Sequence, residues 1–131
     1  MKFKAAGIVV VFAAAAVASS IAAHAAEPVI LAGQIAFRLA DPGPFPTVSD
    51  RVRAVDARIC DAISYENVGE PHMKVALHNG RWSVYIGNTY LVSVYPLDVK
   101  HYSGLSPKRI AALWASRLKR LFPLSEPLTK M

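Results

Sequence analysis

The residue types that do chemistry are sparse in this chain. Asp98, His101 and Ser103 stand close together in the order carboxylate, imidazole, hydroxyl. A hydrolase would use such a set by letting the carboxylate orient the imidazole and the imidazole activate the hydroxyl. Nothing in the local pattern orients the three, however, and there is no glycine-bracketed serine elbow to expose a nucleophile. Asp98 is equally suited to cap the turn before the last helix, because short carboxylates bond to nearby backbone N–H groups. His72 and His78 would point to the same side of one strand. Six residues at about 3.3 Å each put them roughly 20 Å apart, too far to share a metal ion. No metal site, cofactor or catalytic residue is therefore assigned. The single Cys60 cannot close an internal disulfide and has no histidine or second cysteine at motif spacing. It reads as a packed thiol at the boundary of a helix face, or else as a reactive or dimer-linking one.

Charge and aromatic residues give two candidate binding surfaces. From residue 99 to 125 the chain carries Lys100, Lys108, Arg109, Arg117, Lys119 and Arg120 and no acidic residue. On the last helix, Lys108, Arg109, Arg117, Lys119 and Arg120 form a one-sign surface suited to an acidic protein partner, anionic lipid or cell-wall polymer. The competing expectation is internal neutralisation, with Asp56 or Asp61 of the first helix facing Arg117. The second surface is an open sheet face bearing His78, Arg81, Tyr85 and Tyr90, where aromatic rings beside cations can recognise a peptide, a glycan or another copy of the domain.

The elements that must position these residues are legible from periodicity. Residues 28 to 39 alternate, with Leu31, Ile35, Phe37 and Leu39 on one side and Gln34, Ala36 and Arg38 on the other, the period of a half-buried strand. Pro42, Pro44 and Pro46 end it. Thr47 or Ser49 can cap a helix whose apolar stripe is Val48, Val52, Val55, Ile59 and Ile63. Its Asp50, Arg51, Arg53, Asp56, Arg58 and Asp61 read as a solvated, locally paired surface. Asn79-Gly80 between two alternating segments predicts a two-residue hairpin turn. Leu77 then lies opposite Trp82, Val75 opposite Val84 and Met73 opposite Ile86, all six on the core face. Gly87-Asn88 leads into a third strand, Thr89 to Tyr95. There a strict register conflicts with the apolar pattern, so either a bulge reverses the strand or the outer face is partly apolar. Ser106 caps the last helix with Pro107 in its first turn, and Ile110, Leu113, Trp114, Leu118 and Leu121 form its buried stripe. The fold class expected is α+β: a two-layer sandwich in the order β-α-β-β-β-α, with a mostly antiparallel sheet and both helices on one face.

The beginning of the chain addresses the domain. Lys2 and Lys4, an Ala-rich apolar run and the small-residue stretch ending Ala23-His24-Ala25 have the order of a secretory signal peptide. Residues 1–25 are read as that signal, 26–123 as one domain and 124–131 as a flexible tail. The run is weaker than the roughly 20 strongly apolar residues of a membrane anchor, so the chain is expected not to span a membrane once cleaved. The whole chain has 15 basic and 9 acidic residues. Without Lys2 and Lys4 the excess is four positive charges, concentrated beyond residue 70. Periplasm or secretion makes nucleic acid the wrong anion for it.

The segment Ile86-Gly87, Leu91-Val92, Val94, Asp98, Gly104, Leu105-Ser106-Pro107, Ala112, Trp114-Ala115 and Leu118 resembles the periplasmic domain that precedes the membrane helices of some bacterial mechanosensitive-channel-like proteins. The same domain occurs in short secreted proteins. The strand ending Ile35-Ala36-Phe37 and the helix with Arg51 and Ile59 extend the resemblance over most of the domain. It implies the fold and an envelope location, and with no pore-forming segments in this sequence the chain is expected not to be itself the channel. The functional expectation is an exported, non-enzymatic binding or accessory domain of the cell envelope. The alternative is a small periplasmic hydrolase using Asp98, His101 and a serine.

Overall fold

The computed structural model of the chain describes residues 25–125. The residues read as the export signal, apart from Ala25, and residues 126–131 of the expected tail lie outside them. Among the described residues, five strands and three α-helices form an α+β fold: β1 (Glu27–Leu31), β2 (Gln34–Leu39), α1 (Val48–Tyr65), β3 (Met73–His78), β4 (Arg81–Ile86), β5 (Thr89–Ser93), α2 (Pro96–His101) and α3 (Pro107–Leu121), followed by a 3-10 turn, Phe122–Ser125.

The first expected strand is a hairpin. Ala32 and Gly33 both take positive φ, 54° and 75°, and reverse the chain between β1 and β2. Alternation continues through the turn, so the pattern read as one strand, and Ala-Gly is a weak turn signal beside Asn-Gly. A bulge between Val29 and Ile30 in the pairing then shifts the pleat. Ala36 becomes buried and Ile35, expected in the core, is 45 % exposed.

The middle hairpin has the expected register at all six pairs, from Met73 with Ile86 to His78 with Arg81. Asn79 and Gly80 have φ of 51° and 78°, as the two-residue turn requires. Val84 and Ile86 are fully covered, while Met73, Val75 and Trp82 pack partly buried against the core. Leu77 is the correction: it is 57 % exposed. It sits on the edge strand beside the turn, where the cover from α3 ends in the Lys108 ammonium, 4.9 Å above the Trp82 ring. The third strand takes the bulge alternative, between Val84 and Tyr85, which pairs Tyr85 with Tyr90 and Val84 with Val92. Leu91, Val92, Ser93 and Val94 are consequently all buried. The β1–β2 and β3–β4–β5 groups are separate antiparallel sheets.

Thr47 caps α1, its hydroxyl accepting from the Asp50 N–H, and Asp50 pairs locally with Arg53. The Thr47 hydroxyl bond, and after it the Arg53 guanidinium, lower the Asp50 pKa. Farther along the same helix, burial raises that of Asp56. Ser106 caps α3 as expected and accepts from the Arg109 N–H. The Trp114 ring stacks on Phe37 with centroids 4.6 Å apart, at the centre of a core where Ile110, Leu118 and Leu121 are also fully buried. α3 lies over β4, β3 and β2, and α1 against β5 and β1. Cys60 is free and exposed, outside the core.

Candidate functional site

The apolar stripe of α1 contains one charged residue. Val48, Arg51, Val55, Ile59 and Ala62 are its buried positions, and at 100° per residue Arg51 stands within about 50° of the stripe's centre. The solvated position expected for Arg51 is thus corrected: it is 2 % exposed and paired with Asp98, which is fully buried, at 2.9 Å. Such a guanidinium is tolerable only with its charge matched and its N–H groups bonded. Besides Asp98, its Nη1 donates to the Asp41 carbonyl at 2.7 Å and its Nη2 to the Ser93 carbonyl at 2.5 Å.

Asp98 is equally committed. Its Oδ1 accepts from the backbone N–H of Ala40 and Asp41 at 2.9 and 3.2 Å, and its Oδ2 from that of Tyr95 at 2.9 Å. The capping role expected of it holds, on α2, a helix too short for periodicity to announce. Asp41 adds to the junction by accepting from the N–H of Gly43 and of Leu97. His101 is exposed and in edge contact with Tyr102. None of the hydrogen bonds of Asp98 among the described residues goes to His101 or to a serine.

Arg58 lies on the same flank of α1 as Arg51, two turns on, and reaches the outer face of the second sheet. Pleating turns Ser83 and Tyr85 away from Val84 and Ile86. The bulge puts Tyr90 and Ser93 beside them. There the four residues expected on the open face meet. His78 stacks on Tyr90 with centroids 4.1 Å apart and shares a 3.0 Å hydrogen bond, through Nδ1, with the Tyr85 hydroxyl. Tyr85 and Tyr90 meet edge to face at 5.6 Å. Ser83 donates to the Arg81 carbonyl, bonds to Ser93 at 2.7 Å, and Ser93 bonds to the Tyr90 hydroxyl at 2.5 Å. Since each hydroxyl has one proton, Ser93 donates to Ser83 and Tyr90 to Ser93, which fixes the Tyr90 ring.

Two further cations are laid on these rings. The Arg58 guanidinium is 4.8 Å above Tyr90 and donates to the Leu91 carbonyl at 3.2 Å. Arg81 lies 4.3 Å above Tyr95, whose ring also receives Arg51 at 4.9 Å. Together they surround a cleft of about 200 Å³, lined also by Pro44 and Phe45. No acidic side chain lines it among the described residues. The loop that carries Pro44 and Phe45 depends on Gly43, which has φ of 57° and leaves only 3.1 Å between a would-be Cβ and the Tyr95 ring.

Sequence reading found His78, Arg81, Tyr85 and Tyr90 but missed Arg58 and Tyr95, which come from other elements. Arg51 carried a readable signal, a charge at an apolar stripe position, whereas Arg58 on the flank carried none. On α3, Lys108, Arg109, Lys119 and Arg120 are exposed, while Arg117 is half-buried and donates to the Ala36 carbonyl at 3.4 Å. Neither Asp56 nor Asp61 forms an ion pair with it; the ion pairs among the described residues are Arg51–Asp98 and Arg53–Asp50. No group of three or more metal-ligating side chains occurs among them, and no helix there is long and apolar enough to cross a membrane.

No curated protein and no solved structure matches the chain. A family model does, over residues 28–122, which run from the first strand to the end of the last helix, and the chain belongs to the family described as Domain of unknown function (DUF8459).

Proposed function

We propose that this protein is an exported, non-enzymatic binding domain of the bacterial cell envelope, and that it holds its ligand in the cleft between α1 and the outer face of β3–β5. The observation that carries this is convergence. Groups from α1, the β3–β4 turn, β5 and the segment after it meet around one concavity, with rings and guanidinium groups fixed by stacking and hydrogen bonds before any ligand arrives. Concave sites with a few convergent polar groups are where small ligands bind, and fixed side chains lose little entropy when one does. The hydrolase alternative is weaker, because both oxygens of Asp98 are taken up in holding the fold together.

The export motif and the resemblance to the periplasmic domain of channel-like proteins support the envelope location. Fractionation of a bacterial host expressing the full chain should find it outside the cytoplasm with its N-terminus at Ala26. An intact N-terminus in the cytosolic fraction refutes export. For the cleft, a fragment screen read by amide NMR should give hits clustered at His78, Arg81 and Tyr90. Hits scattered over the surface refute a dedicated site.

The exposed cations of α3 favour a second contact. Lys108 and Lys119 project from one side of the outward helix surface and Arg109 and Arg120 from another, the two ends about 16 Å apart. None has an ion-pair partner among the described residues. This row suits an acidic protein partner, anionic lipid or cell-wall polymer. Vesicle sedimentation should show binding that weakens as salt rises; binding indifferent to ionic strength argues against it.

A further inference from the structure

Resting on the reading of the cleft as a binding site, we infer that its ligand is a small molecule whose oxyanion, a carboxylate or phosphate, is gripped by Arg58 and Arg81 while its flat body lies against the ring wall of the cleft. Three observations lead there. First, Arg58 and Arg81 both line the cleft, and neither has a carboxylate partner among the described residues. Arg51, the third arginine there, is neutralised by Asp98 and adds no free charge.

Second, both guanidinium groups lie over aromatic rings, Arg58 on Tyr90 and Arg81 on Tyr95. A guanidinium held by its face keeps its N–H donors at the edge, in the fork that matches two oxygens of a carboxylate or phosphate. Arg58 uses one donor on the Leu91 carbonyl, and no side-chain hydrogen bond of Arg81 occurs among the described residues, so donors remain for a ligand. Third, the rest of the wall is largely aromatic and holds no acidic side chain and no further lysine or arginine. His78 and Arg58 already lie over the Tyr90 ring, and Arg81 and Arg51 over that of Tyr95, so a flat group meets Phe45 and the ring edges, and about 200 Å³ is small beside the roughly 300 Å³ and upward of drug-sized sites. That size admits a one-ring molecule or the end group of a larger one, rather than a folded partner.

The test uses four probes on the purified protein: benzoate, phenyl phosphate, inorganic phosphate and the uncharged benzamide. Binding is followed by amide and arginine side-chain NMR. Benzoate or phenyl phosphate should shift the Arg58 and Arg81 Nε–H signals together with His78 and Tyr90. Arg81→Gln and Arg58→Gln should each weaken that probe by about tenfold or more, the loss of one charge-assisted contact, with the fold checked by an unchanged amide spectrum elsewhere. Whichever of carboxylate and phosphate binds more tightly identifies the oxyanion. Inorganic phosphate should bind more weakly than phenyl phosphate, because it lacks the ring. If benzamide binds as well as benzoate, the oxyanion assignment falls while the cleft stands as a binding site. Should all four probes leave the cleft signals unmoved at about 10 mM, a concentration above the millimolar dissociation constants expected of fragments, both readings fall.

Discussion

Replacing Asp98 by alanine should destabilise the domain severely. The substitution removes the acceptor for three backbone N–H groups, those of Ala40, Asp41 and Tyr95, and leaves the Arg51 guanidinium buried without its counter-charge. Breaking one half of a buried pair costs about 3–5 kcal/mol, and the orphaned N–H groups place the effect in the upper part of that range. A domain of about 100 residues is held by roughly 5–15 kcal/mol, so from about a third to nearly all of the margin goes and the melting temperature falls by about 15–30 °C. Arg51→Met leaves Asp98 with its N–H partners and should cost about 3 kcal/mol. The double variant should then be less damaged than the sum of the two, by about 2 kcal/mol. Asp98→Asn keeps an acceptor toward Ala40 and Asp41 but turns a donor toward Tyr95 and Arg51, and should fall between wild type and Asp98→Ala. Urea unfolding followed by tryptophan fluorescence and circular dichroism gives all four stabilities. A loss below about 1 kcal/mol for Asp98→Ala, or additivity within about 0.5 kcal/mol, would refute the account of this pair as one coupled unit.

Other substitutions test separate parts of the fold. Ala32 sits at φ 54° in the β1–β2 turn, so Ala32→Asn, with a residue that tolerates that conformation, should stabilise by about 0.5–1 kcal/mol and raise the melting temperature by several degrees; a decrease contradicts the turn. Gly43→Ala meets both the left-handed backbone and the Tyr95 ring; it should cost about 1–2 kcal/mol and shift the Tyr95 ring signals, and a neutral result would mean that the loop does not press on the cleft wall. Asp56 has its pKa raised above the ordinary 3.8 by burial, so the folded form holds its proton more tightly than the unfolded chain does. Its penalty is absent well below pH 3.8 and grows as pH climbs from there through the folded pKa. Asp56→Asn should therefore be slightly stabilising at pH 7, by a few tenths of a kcal/mol, and indifferent near pH 3, as paired thermal melts would show; a stabilisation confined to low pH has the wrong sign.

What could be read in advance follows from the range of each signal. The middle hairpin and the two long helices are written in local patterns, Asn79-Gly80, Thr47 and Ser106 among them, and they form where those patterns put them. The bulges in the β1–β2 and β4–β5 pairings depend on cross-strand fit, which alternation alone does not encode, and so Ile35 and Ala36 exchanged faces. Leu77 was misplaced because a strand pattern says which side is apolar but not how far a helix covers it. The candidate site was half visible. Its sheet residues share one hairpin and its neighbouring strand, whereas Arg58 and Tyr95 arrive from elements brought alongside only by the tertiary fold.

The Arg51–Asp98 junction also bears on how the molecule comes apart. Asp98 reaches back 47 residues to Arg51 and 58 to Ala40, so the first hairpin with its helix and the second sheet with its short helix are each incomplete without the other. Cutting the chain in the linker around Gly69 yields two pieces, one with an unmatched buried cation and one with an unmatched buried anion. Neither has a reason to persist alone, and the domain should therefore melt as a single cooperative unit.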